Sequence, residues 1–298
     1  MAETILITGA GPRGVTGRLI KEHFEGKYQL LTPSSSELDL TNDEAVRLYF
    51  DHHKVDYVIH CATFRPTSVH EGHFVDEELE SNLRMFFALA SQSSRYKKMI
   101  YFGSGAEFDK SKPIINVSED EFGFSMPKNK YGLGKYIMNI HTKASSNIYN
   151  FRLFGTINQY ERFTKNVISN LCVKAIKGLP IELKQDCRFS FVDINDIISI
   201  INYALTHELR YHDYNLAMEK GYLLSEVASI IMRLSGRSAG ISFLSEGLNL
   251  EYTASSQRII EELNPQLTPI EIAVARVYNY YESIKDTIDV AEIDARWK

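Results

Sequence analysis

Tyr131 and Lys135 stand four residues apart in Tyr131-Gly132-Leu133-Gly134-Lys135, a spacing that sets both side chains on one face of a helix. The residues that follow, Tyr136-Ile137-Met138-Asn139-Ile140-His141, predict that helix. A phenol has an ordinary pKa of about 10, and a cation held roughly 4–6 Å away favours its ionised form. Such a pair can exchange a proton with a carbonyl or alcohol oxygen, and Ser104, closing Tyr101-Phe102-Gly103-Ser104, can hold that oxygen by a hydrogen bond. Taken alone, a tyrosine and a lysine at this spacing more often decorate a solvated helix. The case therefore rests on the elements that deliver them.

A chain of 298 residues is long enough for one large α/β domain or for a large and a small one. With 24% charged residues and a formal charge of −5, a strongly basic face is not expected, which argues against nucleic acid as the main partner. Cys61, Cys172 and Cys187 are far apart, without the spacing of a zinc site or a disulfide framework, and read as free thiols. The N-terminus runs from Met1-Ala2-Glu3 straight into an apolar strand. No run approaches the roughly 18 apolar residues of a membrane span, so a cytoplasmic protein with no membrane partner is expected.

Thr4-Ile5-Leu6-Ile7-Thr8 reads as a strand, closed by a glycine loop through Gly17, after which residues 18–24 have helical spacing. Strand, glycine loop and helix form the context in which Gly11, Gly14 and Gly17 indicate dinucleotide binding. Glycine lets the backbone approach a pyrophosphate, and the helix N-terminus offers unpaired N–H groups to it. The second strand, residues 28–32, ends in Thr32-Pro33-Ser34-Ser35-Ser36 before any acid. An acid there would favour the ribose diol of NAD. Its absence, with Arg13 in the glycine loop, favours NADP, leaving NAD possible.

Residues 55–62 form another near-continuous apolar run, as does Met99-Ile100-Tyr101-Phe102, and helical segments separate these strands. The pattern predicts a doubly wound parallel sheet with its ligand outside the carboxyl ends of the strands, where Ala62 and Ser104 fall. The segment from Ala106 to Lys130 reads as a long functional loop. After Phe154 the alternation gives way to helices, one of them starting near Glu161 and ending near Gly178.

In this order, the glycine loop, Leu38-Asp39-Leu40-Thr41, Ile59-His60-Cys61-Ala62, Asn82, Gly103-Ser104, Tyr131 with Lys135, and Arg152-Leu153-Phe154-Gly155 resemble the extended short-chain dehydrogenase/reductase superfamily. The similar branch comprises NAD(P)-dependent epimerases, dehydratases and reductases of nucleotide sugars. The glycine loop itself looks like that of the GDP-fucose synthases, NADPH enzymes with an arginine at the position of Arg13. The resemblance implies that Ser104, Tyr131 and Lys135 are catalytic. It implies a cofactor set of Gly11, Arg13, Gly14, Val15, Thr32, Ser34, Asp39, Leu40, Ala62, Thr63, Tyr131, Lys135 and Phe154. It places the sugar nucleotide in the second half, near Arg162, Lys165, Asn166 and Arg188; Glu107, an acid where the family usually has a small apolar residue, is read as a further substrate contact. Dehydratases of the branch carry an Asp-Glu pair where this chain has Gly105 and Ala106, which disfavours dehydration.

The expectation is thus an α/β protein: a Rossmann-type doubly wound parallel sheet over residues 1–155, and a smaller α/β substrate-binding part over 156–298, with 186–217 partly returning to the sheet. The expected activity is reduction of a nucleoside-diphosphate 4-keto sugar by NADPH. A 4-epimerase that retains its cofactor is the nearest alternative. A dinucleotide sensor without turnover has no need of Ser104, Tyr131 and Lys135 together. The resemblance also implies a homodimer.

Overall fold

Apolar runs of four to seven residues, too short for helices and bounded by turns, build the centre of the molecule. The computed structural model describes residues 2–12, 14–64, 74–237 and 240–293, the side chains of 74–76 excepted. The strands are β1 (Thr4–Thr8), β2 (Gln29–Leu31), β3 (Tyr57–His60), β4 (Lys98–Ser104), β5 (Ile114–Val117), β6 (Ile148–Leu153), β7 (Gly155–Ile157), β8 (Ile181–Leu183), β9 (Arg188–Phe189), β10 (Phe191–Asp193), β11 (Asp213–Leu216), β12 (Tyr222–Leu223), β13 (Ile241–Phe243) and β14 (Tyr252–Ala254). The helices are α1 (Val15–Phe24), α2 (Asp43–His52), α3 (Phe74–Ala90), α4 (Lys130–Ala144), α5 (Val167–Ile176), α6 (Ile194–Thr206), α7 (Leu224–Leu234), α8 (Gln257–Leu263) and α9 (Ile270–Ser283).

Six strands form one parallel sheet in the order β11-β6-β4-β3-β1-β2. Ile5, Leu6, Ile7, Val58, Ile59, Met99 and Ile100 are wholly buried, as a sheet covered on both faces demands. On one face lie α1 and α6, packing Ile20, Phe24, Ile197 and Ile201 onto the strands. On the other lie α2, α3 and α4, with Val46, Phe86, Leu89 and Met138. This is the expected Rossmann-type doubly wound sheet. The chain leaves β1 for β2 on one side and returns to β3 on the other, so the strand order reverses between β1 and β3, the place where such sheets open a crevice for ligand.

The later part of the chain has its own core, where α5, α7 and α9 bury Leu171, Val173, Ile231, Val274 and Val277. A four-stranded sheet, β12-β9-β14-β5, joins the two parts. Its strand β5 corrects the reading of residues 106–130 as an open loop. Ile114 pairs with Tyr252 and Val117 with Ala254, partners too distant in sequence for any local pattern to show. A second correction concerns the helix expected from Glu161. It starts at Val167, because the Asn166 side chain accepts from Ile168 N–H and Ser169 N–H and so caps it.

Candidate active site

The glycine loop shows which of its glycines sterics require. A Cβ at Gly14 would fall 1.8 Å from the Gly9 carbonyl oxygen, and one at Gly17 would fall 2.5 Å from the same oxygen. Gly9 itself has φ +71°, and its own Cβ would meet Ala62 N at 2.7 Å. Three glycines therefore pack β1, the loop, α1 and the end of β3 together at the crevice. Gly9, which the spacing argument passed over, is the left-handed turn; Gly11 opens outward with nothing within 4 Å of a built Cβ. Helix α1 begins without a side-chain cap, so its first N–H groups are available to an anion. This cradle fits the pyrophosphate of a dinucleotide. Arg13, expected to read a 2′-phosphate, lies outside the described residues.

Beyond β2, Thr32 is half-buried and Ser34 exposed. The Ser34 hydroxyl and N–H both donate to the Glu37 carboxylate, at 2.8 and 2.7 Å, and these bonds hold Glu37 below the usual carboxylate range. The Asp39 carboxylate accepts from the Thr41 hydroxyl at 2.7 Å and from its N–H at 2.9 Å, which depress its pKa in the same way, while Leu40 is buried in the core. At the end of β3, Ala62 is half-buried, its N–H donating to the Thr8 hydroxyl at 3.2 Å, and Thr63 is exposed.

Two close approaches bring the catalytic candidates to one end of the sheet. Ser104 ends β4, and residues 105–108 turn immediately after it. A Cβ on Gly132 would lie 2.5 Å from the Ala106 carbonyl oxygen, so only glycine lets the start of α4, and with it Tyr131, rest on that turn. Asn129 caps α4, its side chain accepting from Gly132 N–H at 2.7 Å. The buried Lys135 ammonium donates to the Phe102 carbonyl at 2.8 Å, which ties it to β4 two residues before Ser104.

His60 lies within the field of Lys135. Burial, reinforced by that positive charge, pushes its pKa down to about 3. The ring stays neutral, with Nδ1 2.8 Å from the Thr8 hydroxyl. The unfolded chain takes up this proton near pH 6.5 and the folded one only near pH 3, so the folded state loses stability as pH falls through that window. His60→Asn should therefore flatten the pH dependence of stability between about pH 6 and 4, by up to roughly 1.4 kcal/mol per pH unit. Denaturant titrations at several pH values measure this, and equal slopes in both proteins would exclude His60 as the source.

Glu107 is a correction. It was read from the sequence as a substrate contact, but it is wholly buried. Its carboxylate accepts from Ser104 N–H at 3.0 Å, Arg152 Nε at 2.9 Å and Asn150 Nδ2 at 3.2 Å. Burial raises its pKa above the ordinary carboxylate value, an effect that Arg152 and these donors oppose. Arg152, also wholly buried, extends the network to Asp213 at 3.1 Å and Asn215 at 2.8 Å, and Arg258 meets Asp213 at 2.8 Å. Burial alone would raise Asp213, but Arg152, Lys143 and Arg258 outweigh it and leave the pKa below normal. This charge network is the floor under Ser104.

A cleft of about 570 Å³ opens beside the floor, lined among others by Lys110, Lys112, Lys165, Lys184, Phe189 and Tyr252. Four ammonium groups around an aromatic wall suit an anionic ligand with a flat or sugar ring. Asn166 belongs to the lining but spends its oxygen on the α5 cap. Arg162 is exposed and does not line the cleft. Arg188 alternates away from its lining neighbours Cys187 and Phe189, and donates to the Gly221 carbonyl at 2.9 Å. Strand alternation could have shown that; nothing in the sequence marked Lys110, Lys112, Lys184 or Tyr252. Phe154 stacks on Phe108 and tilts against Tyr252, its ring lying over Gly105. A larger groove, about 880 Å³, between α2, α3 and α4 contains none of these groups.

The profile of the NAD dependent epimerase/dehydratase family matches residues 5–217. The chain is 23% identical over 257 residues to the GDP-L-colitose synthase of Yersinia pseudotuberculosis, covering 78% of this chain and 82% of that protein. Among solved structures it superposes on a GDP-mannoheptose C4 reductase from Campylobacter jejuni with NADP bound, with a TM-score of 0.78, 17% identity, and 94% and 98% of the two chains covered. A GDP-L-fucose synthetase from Naegleria fowleri bound to NADP gives a TM-score of 0.81, 17% identity, and 96% and 94% coverage.

Proposed function

This chain belongs to the NAD dependent epimerase/dehydratase family, and from that premise we propose that it is an NADPH-dependent reductase of a nucleoside-diphosphate 4-keto(-6-deoxy) sugar. The observation that carries the reading is the set of Ser104, Tyr131 and Lys135 at the crevice end of the sheet, with Gly105 and Ala106 following Ser104. A phenol, an ammonium and a hydroxyl suffice to protonate a ketone oxygen. Removal of water from a sugar needs a further acid and base, and Glu107, the carboxylate three residues after Ser104, is sealed beneath the site.

In this mechanism the bound nicotinamide supplies the hydride. Tyr131 delivers the proton to the developing alkoxide, and Lys135 favours the ionised phenol that remains. Ser104 donates a hydrogen bond to the oxygen as its charge grows. The lysines of the cleft hold the diphosphate and so orient the sugar. The names of the three relatives all specify GDP-linked sugars, which makes guanosine diphosphate the first nucleotide to try. A homodimer through the outer faces of α3 and α4, where Phe87 and Ile140 are exposed, and a cytoplasmic setting complete the reading.

The NADP preference rests on Arg13 and on Ser34, whose two donors are those a 2′-phosphate would take from Glu37. Glu37 left in place would favour the diol of NAD. Arg13→Ala should therefore weaken NADPH at least tenfold while changing NADH less than threefold, on the order of one surface charge-assisted contact. Fluorescence titration with both cofactors checks this, and equal losses would remove Arg13 from 2′-phosphate recognition.

The reductase reading is tested by the loss of nicotinamide absorbance after mixing protein and NADPH with a panel of GDP-, UDP- and dTDP-linked 4-keto-6-deoxy sugars. Stoichiometric oxidation with one member supports it. Sugar interconversion under merely catalytic cofactor would make the protein an epimerase, and silence throughout would refute catalysis on this substrate class.

A further inference from the structure

We infer that Tyr252, contributed by the distal part of the chain, is a positioning residue that turns the Ser104 hydroxyl proton toward the reacting oxygen of the substrate. This inference rests on the reductase reading.

A serine hydroxyl has one proton to donate and two lone pairs that accept. At Ser104 one lone pair is taken by Ala106 N–H at 3.2 Å. The Tyr252 hydroxyl stands 3.5 Å from the same oxygen. Tyr252 is 5% exposed, and burial raises its pKa far enough that it keeps its proton at any working pH. With the phenol donating, both lone pairs of Ser104 are filled, and the serine can act only as a donor. A hydroxyl so committed suits a carbonyl oxygen that is gaining negative charge. The separation exceeds the usual 2.7–2.8 Å of O–H···O bonds, as catalytic hydrogen bonds often do before substrate is bound.

Two further observations point to the same contact. A Cβ at Gly105 would stand 2.6 Å from the Tyr252 hydroxyl and 2.4 Å from the Phe154 ring, so the missing side chain at position 105 is the space that this phenol occupies. The ring is also held on several sides: its centroid lies 4.9 Å from that of Phe154 and 5.4 Å from that of Phe189, with the Lys110 ammonium 4.3 Å away. It sits on β14 between β5 and β9, so the sheet joining the two parts of the molecule ends at the catalytic serine.

The test uses the full chain, NADPH and the GDP-linked 4-keto-6-deoxy sugar that the wild type reduces fastest. Tyr252→Phe should lower kcat roughly fivefold to tenfold, the scale of one hydrogen bond, with KM and NADPH affinity unchanged. In a Ser104→Ala background the same substitution should cost nothing more, because the tyrosine acts through the serine. Gly105→Ala, which displaces the phenol from the other side, should reproduce the loss and so covers a Tyr252→Phe protein that fails to fold. A wild-type rate in Tyr252→Phe, or a full repeat of its loss in the Ser104→Ala background, would overturn the inference and leave the reductase reading standing. A wild-type protein that reduces no panel member would overturn that reading, and this inference with it.

Discussion

Tyr131→Phe is expected to lower turnover by roughly 10²–10⁴-fold, the usual contribution of a positioned proton donor, while cofactor affinity changes little. Only one oxygen is removed, from a half-buried ring at the first turn of α4, and the helix keeps its Asn129 cap. Gly132 still seats the helix on the Ala106 carbonyl, and Lys135 keeps its bond to the Phe102 carbonyl. The chemical step should therefore fail in a protein that still binds NADPH. Stopped-flow absorbance for the step and fluorescence titration for the cofactor separate the two. Activity within a few-fold of wild type would mean that another group delivers the proton.

Arg152→Met should cost about 3–5 kcal/mol of stability, the penalty for leaving buried charge without its partner. Glu107 is wholly buried and Asp213 nearly so, and the guanidinium reaches both at 2.9 and 3.1 Å. Its loss leaves Glu107 with the uncharged donors of Ser104 and Asn150 only. Adding Glu107→Gln should restore part of the stability, since the stranded carboxylate is then gone. Guanidinium titrations of the three proteins decide this. A loss below about 1 kcal/mol in Arg152→Met would show that the network does not depend on the pairing.

The central sheet was legible because its strands are buried on both faces and so read as unbroken apolar runs between turn residues. The glycine loop was legible in kind but not in register. Spacing singled out Gly11, while the carbonyl of Gly9 is what Gly14 and Gly17 press against. Residues 106–130 misled because β5 gains its partner from β14, and no local periodicity reveals a pairing across that distance. The start of α5 was within reach, since an asparagine just before an apolar run is an N-cap signal.

At the site, the chemistry of Ser104, Tyr131 and Lys135 could be read from residue type and spacing. The surroundings could not. Glu107 looked like a substrate contact because it is an unusual acid three places beyond the end of β4; Arg152, a strand residue on neighbouring β6, instead pairs with it inside the core. Gly105 stood out as a vacancy, but the phenol that fills it comes from β14, whose single tyrosine carries no sequence signal. The lysines of the cleft are drawn from several separate segments, each an ordinary solvated charge until the fold gathers them.

The central claim is a net transfer of hydride from NADPH to a sugar carbon. The most direct measurement follows the label from NADPH carrying deuterium at the transferable position of the nicotinamide, incubated with the GDP-linked keto sugar that consumes it. The account predicts one deuterium on the former carbonyl carbon of the product for each NADPH oxidised. A product without deuterium, or an isomerised sugar formed while the NADPH remains reduced, would contradict it.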